Sequence, residues 1–150
     1  LRLVGSEMCI RDRCMRMTVK AVRIEWIRMI VGIGTDLIEV ERIKKACSKE
    51  AFLMRYFTLE ERKLIGSNYQ RAAGNFAVKE AVSKVMGTGF RGIALNEIEV
   101  LRDELGKPYI NLYERAGERA AAMGILRWHV SISNTKILAM AYVIGEGEEK

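Results

Sequence analysis

Histidine occurs once in this 150-residue sequence, at His129, proline once, at Pro108, and cysteine only three times. No Ser-His-Asp or Cys-His constellation can be assembled around the single imidazole, and no Cys/His cluster has the spacing of a zinc site. Cys9 and Cys14 fall within the first 28 residues, which leaves Cys47 alone in the remainder. A lone cysteine on a predicted helix reads as a small buried apolar residue and suits a reducing cytoplasm. Aromatic residues make up 7% and are not interleaved with basic ones, which argues against stacking on nucleic-acid bases. No apolar run approaches the roughly 20 residues that cross a bilayer, so no membrane span is expected.

What is present supports one domain, since 49% of the chain is hydrophobic. The net charge of +6 suggests a nucleic-acid partner until it is located. Residues 1–28 hold seven Lys+Arg against three Asp+Glu, and the other 122 hold 18 against 16. Most of the excess therefore belongs to an unpatterned leader, expected to be a non-native extension or a disordered basic arm. The domain is expected at 29–145 and an acidic, frayed tail at 146–150.

From Met29 the patterning sharpens. Ile30, Val31 and Ile33, spaced by Gly32 and Gly34, read as a short strand whose glycines admit a close backbone neighbour, with Asp36 at its end. Val40, Ile43 and Cys47 then recur at helical spacing over about 39–49, with Arg42, Lys45 and Lys49 on a basic face. Thr58 and Glu61 form a capping-box signature for a short helix to Ile65. A longer helix spans about 69–86, with an apolar stripe of Gly74, Ala77, Val78, Ala81 and Val85. Ala73 and Phe76 on its other side imply that it is covered twice, which puts Glu80 in a cleft. Alternation over 98–102 and 109–113 around ELGKP predicts a hairpin, followed by a helix over 114–123 and a second hairpin from WHVSISN and ILAMAYVIG. This order implies an α+β single domain with a largely antiparallel sheet packed against the long helix.

Two acids stand out for chemistry. Asp36 at a strand end and Glu80 on a helix are held rigidly enough to share a hard divalent cation, which keeps most of its coordination sphere for water and phosphate oxygens. That predicts magnesium-dependent chemistry on a phosphorylated substrate. Each candidate also has a plainer reading. Asp36 can cap the next helix, Glu80 and Lys84 can be a solvated i, i+4 pair, Gly87 in Gly87-Thr88-Gly89 can end a helix, and His129 can be half-buried and structural.

The run GIGTDLIEVERI, followed downstream by AGNFAVKEAVSKVMGTG, LGKPYI and HVSISNTK, resembles the holo-[acyl-carrier-protein] synthases, the small phosphopantetheinyl transferases. The likeness extends from Met29 to about Gly145. It implies the phosphopantetheinyl transferase fold and magnesium-dependent transfer of 4′-phosphopantetheine from coenzyme A to a serine of apo acyl carrier protein, in fatty acid biosynthesis, or to another carrier domain. It further implies that Asp36 and Glu80 ligate magnesium and that Lys84 meets the diphosphate, the three together being catalytic. Gly87, Lys107, Pro108 and His129 would line the coenzyme A site. Arg42, with Lys45 and Lys49, would dock the acidic carrier protein, and a homotrimer with active sites between neighbours is expected. Asn75 replaces an arginine common in the family and Asn134 a second histidine; neither change touches the metal pair.

Overall fold

In the computed structural model, which describes residues 28–89 and 91–148, strand β1 (Arg28–Glu39) runs directly into helix α1 (Val40–Cys47). Helices α2 (Glu50–Tyr56), α3 (Leu59–Ile65) and the long α4 (Tyr69–Val85) follow. A hairpin of β2 (Ile98–Arg102) and β3 (Pro108–Leu112), helix α5 (Glu114–Ala122) and a hairpin of β4 (Ile125–Asn134) and β5 (Leu138–Glu148) complete the order. Strands β1, β5 and β4 form one antiparallel sheet in that sequence, and β2 and β3 form another. The α+β architecture is as expected, with its antiparallel strands divided between two sheets.

Several boundaries differ from the sequence reading. Strand β1 continues past Asp36 because β5 keeps pairing with it as far as Glu39↔Leu138. At the other end Glu146, Gly147 and Glu148 pair with Ile30, Met29 and Arg28, so these tail residues belong to the sheet. The single helix expected over 39–49 stops at Cys47, and Lys49 instead caps α2, which the sequence pattern did not reveal. Residues 1–27, including Cys9 and Cys14, lie outside the described residues.

The sheet approaches α4 closely because of its glycines. A Cβ added at Gly34 would stand 2.0 Å from the backbone oxygen of Ala81, a contact no side chain survives. Asp36, two residues on, projects from the same face of β1 and is thereby carried onto α4. On the far side of α4, Phe76 stacks on Phe52 at 5.8 Å between ring centroids and meets Tyr56 edge-on at 5.7 Å. The double cover inferred from the sequence is therefore supplied by α2.

Capping fixes α3. Thr58 Oγ1 accepts from Glu61 N at 3.2 Å, and Glu61 Oε2 accepts from Thr58 N at 3.0 Å. Glu61 goes further than a cap residue, since it is fully buried and also accepts from Lys79 Nζ at 2.7 Å and Val100 N at 3.1 Å. Lys79, equally buried, donates in addition to Leu95 O and Ile98 O. This ion pair ties α3, α4 and the start of β2 together one residue before Glu80.

Candidate active site

Asp36 and Glu80 converge. Glu80 comes within hydrogen-bonding reach of Asp36, and its carboxyl is pushed up to about 7 by burial first and then by the Asp36 charge. The nearby cations Lys84 and Arg42 oppose that rise. Asp36 itself is largely enclosed, with 11% of its side chain exposed, and its Oδ2 is buried with no hydrogen-bond partner. Two carboxylates facing each other with an orphaned oxygen repel unless a proton or a cation lies between them.

Asp36 is not a helix cap, because Glu39 occupies that position of α1 and makes no side-chain cap bond. Lys84 does not pair with Glu80 along the helix; its Nζ crosses to Asp36 Oδ1 at 3.0 Å and to Thr35 O at 2.6 Å. Half of the Lys84 side chain remains exposed, so this ammonium can reach a ligand above the pair. Gly87 follows α4 with a φ of 69° and donates to Lys84 O at 3.1 Å, which makes it the terminating residue of the helix beside Lys84.

A cavity of about 490 Å³ opens beside Glu80, lined by Arg42, Phe52, Arg55, Tyr56 and Phe76 among others. Arg42 thus belongs to the acid pair's surroundings, whereas Lys45 and Lys49 are exposed away from it. The aromatic wall from α2 was missed in the sequence, although the run FLMRYF was a signal for a buried face. A separate groove of about 560 Å³ holds Lys107, Pro108, Tyr109, Trp128 and His129. His129 is exposed, not half-buried, and its Nε2 lies 2.7 Å from Glu146 Oε2. No residue lines both cavities.

The donor set suits one kind of metal. Among the described residues no group of three or more His, Cys, Asp or Glu side chains is arranged to hold an ion. A pair of hard oxygen ligands with one oxygen unpartnered fits magnesium, which keeps several waters or phosphate oxygens of its own.

Comparison with known proteins gives the family. Residues 32–142 match the model of the 4′-phosphopantetheinyl transferase superfamily, and the chain belongs to that superfamily. Its relatives there are holo-[acyl-carrier-protein] synthases. The protein of that name from Lachnoclostridium phytofermentans is 60% identical over 118 residues, covering 79% of this chain and 97% of the relative. The Bacillus anthracis synthase, solved in complex with CoA (3′,5′-ADP), is 37% identical with a TM-score of 0.67 over 80% of this chain and 99% of that one. The Plasmodium yoelii acyl carrier protein synthase with ADP bound is 31% identical with a TM-score of 0.74, covering 82% and 99%.

Proposed function

We infer that this protein transfers 4′-phosphopantetheine from coenzyme A to a serine of apo acyl carrier protein, releasing adenosine 3′,5′-bisphosphate. The observation that carries the reading is the convergence of Asp36 and Glu80, with Asp36 Oδ2 unpartnered and Lys84 within reach. The two carboxylates would hold magnesium, which when bound withdraws charge from the β-phosphorus and stabilises the leaving phosphate. Lys84 contributes a cation where negative charge builds up on the diphosphate. No nucleophile is required of this chain because the attacking hydroxyl arrives on the carrier protein. Lys107, Pro108, His129 and the helix end at Gly87 complete the coenzyme A site. Mass spectrometry of apo acyl carrier protein incubated with this protein, coenzyme A and magnesium tests the reading. A magnesium-dependent phosphopantetheine adduct on serine is expected, and an unmodified carrier protein counts against it.

Carrier docking falls to the exposed basic residues of α1 and the α1–α2 junction. Lys45→Glu combined with Lys49→Glu is expected to raise KM for carrier protein about tenfold with little change in KM for coenzyme A. These two are a cleaner probe than Arg42, which also shares the cavity beside Glu80. Equal effects on both substrates would remove the assignment.

The outer face of the three-stranded sheet supports a homotrimer. Ile33, Leu37, Met140 and Tyr142 are 53%, 60%, 42% and 40% exposed, and Leu37 stands opposite Met140 in the register. Further copies would cover this apolar face, and placing the Lys107–His129 groove of one subunit against the acid pair of the next would join two cavities that are separate within one chain. Sedimentation is expected to give the trimer mass, and an active monomer would contradict it. Among the described residues no helix is long and apolar enough to cross a membrane. The single described cysteine, Cys47, is buried and unbridged, in keeping with a cytoplasmic enzyme.

A further inference from the structure

Glu61 and Lys79 are the only charged side chains among the described residues with no exposure at all, and the transfer proposed above uses neither. Taking two ions out of water costs several kcal/mol each, and apolar side chains of similar volume can replace such a pair with little loss of stability. Stability alone is therefore a poor reason for the pair. What it supplies is direction. Each N–H of the Lys79 ammonium has its own acceptor, in Glu61 Oε2 at 2.7 Å, Leu95 O at 2.9 Å and Ile98 O. Glu61 is fixed in turn by Thr58 N, Val100 N and Asn75 Nδ2.

These bonds grip α4 from behind. Lys79 stands two residues before Ala81, about 200° around the helix, so it holds the side opposite the contact with Gly34. The Ala81–Gly34 contact fixes how far α4 stands from β1. It resists rotation poorly, because Gly74, Ala77 and Ala81 give that face no large side chains to interlock.

Rotation is what the acid pair is sensitive to. Glu80 and Lys84 share one face of α4, one turn apart, and both must meet Asp36. Turning the helix by about 10° carries a carboxylate at its surface, about 6 Å from the axis, through about 1 Å. Metal–ligand distances tolerate only about 0.2 Å. The same ammonium holds Leu95, which with Ile93 and Ala94 walls the cavity beside Glu80.

We propose that Lys79, held by Glu61, is a positioning residue that sets the rotation of α4 and so aims Glu80 at Asp36 for joint capture of the metal. The inference rests on the metal reading given above. Its test compares manganese(II) affinity, followed by electron paramagnetic resonance, in the wild type, in Lys79→Met combined with Glu61→Gln, and in Ile125→Ala, at a temperature where circular dichroism shows each chain folded. The paired variant keeps the volume and leaves no unpaired charge. Ile125→Ala opens the core where β4 begins, at the end of the sheet remote from Asp36, and controls for lost stability. The paired variant is expected to weaken manganese about tenfold or more and to lower kcat with it, while Ile125→Ala binds as the wild type does. Glu61→Gln alone is the milder variant, expected to move affinity in the same direction should the pair fail to fold. Unchanged affinity in the variants of the ion pair, or an equal loss in Ile125→Ala, overturns the positioning role. Absence of a manganese site in the wild type removes the metal reading itself, and the inference falls with it.

Discussion

Replacing Asp36 or Glu80 by alanine is expected to lower kcat about a thousandfold or more at saturating magnesium, while circular dichroism should still show a folded domain. Folding should survive because the two acids repel each other in the metal-free protein, so losing either one relieves a strain. Burial of Glu80, together with that repulsion, gives the protein a pH signature. Glu80 has a folded value of about 7 against an ordinary 4.5, so between these limits the folded state binds more protons than the unfolded one. Metal-free stability should therefore fall as pH rises from about 4.5 to 7, and Glu80→Gln should flatten that slope. Protons and metal compete for the same carboxylate, so magnesium affinity should drop about tenfold per unit as pH falls below 7. Full turnover in Asp36→Ala or Glu80→Ala would end the assignment.

Lys79→Ala is expected to cost about 3–5 kcal/mol of stability, measured by urea unfolding. The substitution leaves the buried Glu61 carboxyl without the ammonium that faces it at 2.7 Å, and it removes the donor that Leu95 O and Ile98 O share. Burial pushes the Glu61 carboxyl up, so the variant should take up a proton there on folding. Combining Lys79→Met with Glu61→Gln should cost less than Lys79→Ala alone, because no unpaired charge then remains. A smaller loss in the single variant than in the pair would show that the ion pair is not what holds α3, α4 and β2 together.

The residues around Asp36 and Glu80 were legible because their local grammar is strong. Gly32 and Gly34 announced a close approach, and the structure supplies it at Ala81. Thr58 and Glu61 announced a capping box, and both of its bonds are made. Val40, Ile43 and Cys47 announced the buried face of α1, and these are its buried residues. What the sequence could not display was long-range pairing. Lys79 looks like one more solvated charge beside Glu80, and only the return of β2 over α4 encloses it. Asn75 read as a missing arginine; the arginine it contacts arrives from Arg102, 27 residues later. Strand β1 outran its expected end at Asp36 because its length is set by β5, more than a hundred residues away. The plainer pairing of Lys84 with Glu80 along the helix is not made, because the near approach of β1 gives Lys84 Asp36 instead.

Manganese(II), a paramagnetic stand-in for magnesium, offers the most direct test of a cation held jointly by these two acids. Titrated into the protein with coenzyme A present and followed by electron paramagnetic resonance, it should bind at one site per chain. That site should be lost in both Asp36→Asn and Glu80→Gln. Undiminished binding in either variant would contradict a shared site.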